Sequence, residues 1–493
     1  MILVSFVVLM ILFCLLNYYR DVKRYPKGPT PLPLIGNLHQ MESYNMHLHF
    51  EKLSKVYGPV FTVFLPIPTV VITQFQPIKE AFLNKGNDFA GRFGGYPDNM
   101  FQNIENGGVI FSQGENWVEQ RRTSLRILRD LGMGKRIMEE RVMKSVYELL
   151  NQLENEPDKD HVDFRWPLQL CVANVITEIL FGYHHDYSDC SKLKHFVEIV
   201  RCVIEYQASR KLIYLTQQFW FIAKIPIINK IGLRKMDNEA AKVKKYIRQE
   251  VDKHSKQFDS NSEPQTFIHA YLREMTKDNK FLCYEQLINV VADFWLAGME
   301  TTTTTLRWAI LLMVTHSDVQ EKMREEIFGV VGKERYACMA DKVNMPYCSA
   351  VIMEVQRVAN ILPFNVLHRT VCETTIGNHR IPKDTLVLGQ ITTVLSSTSV
   401  FENPEEFQPM RFLDKDGKTF RKEMVEHLIP FSIGKRQCAG ASLARVELFL
   451  VLVNLLQNYR LEVPSDGDLP NLEPICGGLS LPRSYRAKIV CLH

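Results

Sequence analysis

A chain of 493 residues, 46% hydrophobic and 23% charged, can bury a substantial core, and its formal net charge of +4 is too small to argue for nucleic acid as a partner. The 11 cysteines are odd in number and scattered without CxxC pairs, which argues against a disulfide framework and favours a reducing compartment. No repeat of fixed period, zinc-ligand spacing, Gly-rich phosphate loop or Gly-x-Ser-x-Gly elbow occurs.

The N-terminus is apolar from Ile2 to Leu16, stays uncharged through Tyr19, and then meets Arg20, Lys23 and Arg24. A signal peptide has the reverse order, basic residues first and a small-residue cleavage site after. Residues 1–19 are therefore expected to be an uncleaved transmembrane anchor, with the following cations keeping the body in the cytosol. Residues 20–36 carry Pro26, Gly28, Pro29, Pro31 and Pro33 and predict a stiff connector. Length alone suggests about three domains in the chain, but no Gly/Ser-rich or like-charge linker divides residues 37–493, so one large domain is expected.

Val60–Leu65 and Thr69–Thr73 are β-branched and apolar runs flanking Pro66 and Pro68, which predicts a small hairpin rather than a large sheet. From Pro77 to Gln356 the chain reads almost entirely helical, clearest over Arg141–Glu154, Ala240–Phe258 and Asp318–Val331, with one very long helix over Tyr284–His316. Short strands are expected at Thr374–Ile381, Leu386–Gly389 and around Leu479–Val490. The predicted class is mainly α with minor β.

The window Phe431-Ser-Ile-Gly434-Lys-Arg436-Gln-Cys438-Ala-Gly440 places one cysteine where its thiolate can hold iron. Gly434 and Gly440 allow close backbone approach to a flat macrocycle, Arg436 can reach a carboxylate, and Phe431 would shield the sulfur. The bland alternative is a buried, inert cysteine. Within the long helix, Ala297 and Thr301 share a face with Asp293 one turn earlier. Five threonines, Thr301–Thr305, are poor helix formers; a local weakness would free a hydroxyl, and simple back-bonding to the helix is an equal alternative. Glu354 and Arg357 lie three apart on one helical face, and with Arg411 they form a candidate buried ion cluster that is structural rather than catalytic. Trp117 and Arg121, four apart, can point at one carboxylate, or can be a surface pair.

Taken in order, Trp117-x-x-x-Arg121, Ala297-Gly298-x-Glu300-Thr301, Glu354-x-x-Arg357, Pro409-x-Arg411-Phe412 and the Phe431–Gly440 loop resemble the cytochrome P450 family across nearly the whole chain. Gly132–Arg136 and Thr304–Trp308 are similar to the animal microsomal clan of drug- and fatty-acid-metabolising enzymes, and Tyr25-Pro-Lys-Gly-Pro29 is similar to nematode members. The resemblance implies the P450 fold and haem b (iron protoporphyrin IX) with Cys438 as axial ligand. Arg92, Trp117, Arg121, His368 and Arg436 would hold its propionates, with Ala297 and Phe431 beside it. Two extra residues fall between Arg92 and Trp117, leaving that loop's course open. Thr301 with Glu300 would serve dioxygen (O2) and relay protons.

The implied activity is that of a monooxygenase inserting one oxygen atom into a lipophilic substrate, such as a fatty acid, steroid or xenobiotic, with electrons from NADPH through NADPH-cytochrome P450 reductase and cytochrome b5 as a second donor. It implies the endoplasmic reticulum membrane as location. Phe101, Ile104, Phe111, Asp293, Phe294, Ala297, Leu362, Phe364, Val366 and Leu479 are the implied substrate contacts; Asp293 would orient a polar group or bind water. Phe219–Ile228 is apolar enough to dip into the bilayer, or to be an internal helix pair. Arg122, Arg126, Arg129, Lys135, Arg136, Lys415, Lys418, Arg421, Lys422 and Lys435 would form a face for an acidic reductase, or ordinary solvated surface. A hydroperoxide isomerase or dehydratase on the same fold, and a non-catalytic haem-binding sensor, are the rival readings.

Overall fold

The uncharged N-terminal run forms one helix, Ile2–Val22, with no buried residue and a length and composition suited to crossing a membrane. It extends past the apolar run into Arg20, a cation in the last turn where helix carbonyls favour one. The helix Ala441–Asn458 is also long and apolar enough, but it is mostly buried and is a core helix. The computed structural model describes residues 2–42, 45–96, 98–209 and 234–492, together with 215, 219 and 225. The expectation for Phe219–Ile228 falls largely outside these described residues.

The strands are β1 (Val60–Leu65), β2 (Ile67–Ile72), β3 (His368–Arg369), β4 (Thr374–Ile376), β5 (His379–Ile381), β6 (Leu386–Gly389), β7 (Tyr459–Glu462), β8 (Ile475–Cys476), β9 (Ser480–Leu481) and β10 (Lys488–Cys491). The expected hairpin forms, but it does not stand alone: β2 pairs parallel with β6, which pairs antiparallel with β3, giving the order β1-β2-β6-β3. Pro68 is tolerated inside β2 because pairing with β6 begins only at Thr69. The short strands expected over Thr374–Ile381 form as a hairpin, β4 against β5, turned at Gly377 with φ +53°.

The helical core is built around Tyr284–Thr315, packed on Arg165–Phe181 and Ala441–Asn458. The expected helices start or stop a few residues away, at Arg136–Glu154, Arg234–Ser255 and Ser317–Val330. The nearly continuous helix expected over Pro77–Gln356 is interrupted at residues 85–113, where the resemblance already implied a loop and where the described residues form no helix. Six glycines disfavour helix there, and Gly94 and Gly108 adopt φ +68° and +78°. Side chains hold the loop instead: Asn106 Oδ1 accepts from Gln113 N at 2.7 Å, and Asn106 Nδ2 donates to Gln113 O at 3.2 Å.

Candidate active site

The Phe431–Gly440 loop leads directly into Ala441–Asn458 and is closed by Cys438 N donating to Phe431 O at 3.1 Å. Gly434 is required: at φ +79°, an added Cβ would lie 1.7 Å from Phe82 O. Gly440, at φ −91°, adopts no conformation reserved for glycine; its N–H and that of Ala441 bond toward the Cys438 sulfur at the helix start. The sulfur is accessible rather than packed, yet enclosed enough that desolvation is the largest influence and raises its pKa. Those two N–H groups, Arg121 and Arg445 oppose that rise. The Phe431 ring lies under the Arg445 guanidinium at 5.2 Å.

Beside this loop the structure gathers Arg92, Trp117, Arg121, His368 and Arg436. Arg436 stacks on the Trp117 ring at 3.7 Å and donates to Ala90 O and Ser112 O. Arg92 donates to Ile110 O, Val366 O and Leu367 O, and Arg121 to Gln437 O at 2.6 Å. His368 Nδ1 bonds Phe89 O at 2.7 Å, so that nitrogen carries the proton, and the ring stacks on Phe82. Burial, then Arg92 and Arg121, push Arg436 far below the ordinary arginine range; burial, then Arg92, push His368 well down. Asp98 acts on Arg92, but burial lifts that carboxyl to about 7. Two buried donors, Trp117 Nε1 and Arg436 Nη1, have no partner among the described residues.

The Glu354 cluster is different in kind. Arg357 grips Glu354 with two bonds of 2.7 and 2.8 Å, Arg411 Nε adds one at 3.0 Å, and Gln408 N adds another at 2.9 Å. The remaining guanidinium donors reach the carbonyls of Leu395, Glu402, Asn403, Pro404 and Glu406. The network thus ties the helix Pro346–Ala359 to the meander that leads toward Cys438.

The long helix runs unbroken through its threonines, which fits back-bonding, one of the two equal alternatives, rather than a local weakness. The hydroxyls of Thr301, Thr303 and Thr305 donate to the carbonyls four residues back, Thr301 to Ala297 O at 2.8 Å. Thr302 Oγ1 approaches Glu447 Oε2 at 3.4 Å, which docks this stretch against the helix that follows Cys438. Ala297 is accessible in the middle of an otherwise buried helix. Glu300 is buried, its pKa raised by desolvation and opposed by Arg307, Arg165 and Arg201.

Of the implied substrate contacts, some converge and others do not. Ser480 N donates to Ile361 O at 2.9 Å, which sets Leu479 beside the Leu362 segment. Val366 and Phe111 adjoin the carbonyls that receive Arg92 and Arg436. Ile104 packs near Gly107 and Phe101 against the helical core. Asp293 Oδ2 accepts from Val109 N at 2.6 Å and Ile110 N at 2.9 Å, so that oxygen pins the 106–112 loop. The Phe294 ring meets Phe267 edge-on at 5.5 Å, and Phe364 packs on Phe50; both rings engage core clusters. Asp98, Arg445 and Glu447 carried no local sequence signal, because each acquires its neighbours only through tertiary packing.

A flat macrocycle bearing two carboxylates fits this chemistry. Arginine keeps its proton in proteins, so stress among buried guanidiniums is relieved by an anion. Trp117 Nε1 and Arg436 Nη1 are donors suited to carboxylate oxygen, and the accessible sulfur at a helix start, with two N–H groups and two arginines, suits a thiolate ligand.

The cytochrome P450 family model matches residues 26–489. Curated relatives cover nearly the full length: cytochrome P450 2C8 of Homo sapiens is 39% identical over 490 residues, 97% of this chain and 96% of its own, and cytochrome P450 2H2 of Gallus gallus is 36% identical over 474 residues, 94% and 93%. The apolar N-terminal helix Ile2–Val22 fits a membrane anchor. With this fold, these relatives and this site, the chain belongs to the cytochrome P450 family, as a haem b monooxygenase that uses dioxygen on a small-molecule substrate.

Proposed function

We propose that the protein is a microsomal monooxygenase for lipophilic substrates, fed by NADPH-cytochrome P450 reductase, with Cys438 as the iron ligand and Arg92, Trp117, Arg121, His368 and Arg436 as the propionate-binding set. The observation that carries this reading is a cluster of buried cations and orphan donors, short of counter-charge, beside an accessible thiol. Haem held by a thiolate supplies dioxygen activation, consuming two electrons and two protons. The chain supplies the rest. The N–H groups of Gly440 and Ala441, with Arg121 and Arg445, favour the Cys438 thiolate. Thr301 Oγ1 holds its proton against Ala297 O and must swing away from it to donate elsewhere. Burial raises the pKa of Glu300 against the pull of Arg307, Arg165 and Arg201, and Glu300, next to Thr301 on the helix, is the proposed proton relay for that hydroxyl. Glu354, Arg357 and Arg411 act structurally, by holding the meander before the cysteine loop. Apolar Leu362, Val366, Leu479, Phe101, Ile104, Phe111 and Ala297 favour a lipophilic substrate and exclude water. Asp293 supports this indirectly by holding the 106–112 loop, while Phe294 and Phe364 back the wall from their core clusters.

The cations after the apolar helix favour a cytosolic body, on residues 37–493, with residues 1–19 as anchor and 20–36 as connector. Of the expected reductase face, Arg122, Arg126 and Arg136 are paired with Glu119, Glu274 and Glu140. Arg129, Lys135, Lys415, Lys418, Arg421 and Lys422 are exposed and in no ion pair among the described residues, and Lys435 bonds Asn87. That leaves enough positive charge for an acidic reductase or cytochrome b5. Reconstitution with reductase and NADPH tests the whole: oxygenated product, with a reduction rate that falls as salt rises, is expected. Conversion of a lipid hydroperoxide without reductase would favour the isomerase reading, and haem binding with neither activity the sensor.

A further inference from the structure

Where the apolar helix ends, a cavity of about 420 Å³ opens between residues 23–27 and the β4–β5 hairpin. Lys23, Arg24 and Lys27 line it from one side, His379 and Arg380 from the other. All five are exposed, and the one carboxylate in the lining, Glu373, is taken by Arg380. Arg24 is 3.8 Å from Asp21 in a solvent-exposed pair worth little, while Lys23, Lys27 and His379 form no ion pair among the described residues. The volume lies within the range of small-ligand sites, and the charge selects an anion.

Its place is fixed by the fold. Tyr18 and Tyr19 hydroxyls donate to Leu32 O and Pro31 O, and the Tyr25 ring meets Phe64 of β1 edge-on at 5.7 Å, so the helix end is tied to the sheet. The hairpin is tied as well: Gly377 N donates to Glu80 Oε2 at 2.9 Å, and Lys85 Nζ to Thr375 O at 2.8 Å. A run of cations after a span needs only local sequence, whereas this pocket recruits Arg380 and His379 from far along the chain. It stands at the level where an apolar span passes from acyl chains to headgroups, beside a helix with no buried face.

We propose that this pocket binds the phosphate headgroup of an anionic phospholipid from the leaflet that holds the anchor, and so sets the tilt of the catalytic body on the bilayer. The test uses full-length holoprotein in phosphatidylcholine bilayers containing a minor fraction of phosphatidylserine. Phosphatidylserine retained per protein after stepwise delipidation is measured by mass spectrometry. Wild type is expected to retain it above its bulk fraction, with roughly a fivefold loss for each of Lys27→Ala and Arg380→Ala. The charge-reversed pair Lys27→Glu and Arg380→Glu is expected to retain none above bulk, while Lys256→Ala, an exposed cation elsewhere, retains the wild-type amount. An unchanged reduced carbon monoxide spectrum in each variant shows that fold and haem are intact. Equal retention by the pocket variants overturns the proposal. Displacement of the lipid by inorganic phosphate at similar concentration also overturns it, as that marks a site for soluble anions.

Discussion

Two clusters of arginines bear on the same cysteine loop, one beside it and one on the meander that leads to it, and they are solved in opposite ways. Around Glu354 every guanidinium faces a carboxylate or a carbonyl, and the carboxylate itself receives four bonds. Around Trp117 the guanidiniums of Arg92, Arg121 and Arg436 burden one another, their nearby carboxylate is held near neutrality, and two donors are left over. A closed network of this kind stabilises the fold; an open one is built for something that arrives. The difference is one of counter-charge, since Arg92 and Arg436 are as buried as Arg357 and Arg411.

The largest expected effect breaks the chemistry beside the open cluster. Cys438→Ser is expected to reduce turnover to background and to alter the reduced carbon monoxide spectrum, with the polypeptide still folded by circular dichroism; a wild-type spectrum would remove the sulfur from the site. Next, Glu354→Ala opens the closed cluster and leaves two buried cations without their anion. A loss of about 3–5 kcal/mol is expected in denaturant unfolding, and Arg357→Lys is expected to fall between this variant and wild type because lysine lacks the fork. An unchanged midpoint for Glu354→Ala would erase the contrast between the clusters.

Arg436→Leu sharpens it further. Removing one cation from the open cluster is expected to weaken haem retention by about 1.5–3 kcal/mol, the range of a charged hydrogen bond, read as faster haem transfer to an acceptor protein. The apoprotein is expected to lose less stability than Glu354→Ala does, because relief of cation repulsion offsets the lost bonds to Ala90 O and Ser112 O, and Glu354→Ala must show the reverse pattern. Thr301→Ala is expected to leave folding and haem content intact while oxidised product per NADPH consumed falls several-fold, roughly within the range of a general-acid contribution.

The smallest effect concerns Asp293. Burial lifts its folded pKa to about 7, against an ordinary value of about 4. Between these values the unfolded chain ionises first, so its contribution is full below about pH 4 and is lost as pH rises to about 7. Asp293→Asn keeps an oxygen for Val109 N and Ile110 N and is expected to flatten the slope of stability over that window.

Much of this was legible along the chain. The cysteine loop is contiguous, the Glu354–Arg357 spacing is one helical step, and the long helix keeps its period from Tyr284 to Thr315. The course of the loop over residues 85–113 was not legible, because side-chain bonds such as Asn106 to Gln113 and Asp293 to Val109 and Ile110 set it. Gly440 misled: a glycine beside a ligand suggested special backbone geometry, and what the structure uses there is its N–H.

Sequence alone determined the apolar N-terminal helix, the helical class and the family motifs, the cysteine loop among them, because each is written in neighbouring residues or in a helical repeat. Tertiary structure decided which arginines share an anion and which lack one, that Glu447 meets Thr302, that Asp293 holds a loop, and that Arg380 joins Lys27 in one pocket. These are meetings between segments distant along the chain, and a one-dimensional order of residues carries no distance between them.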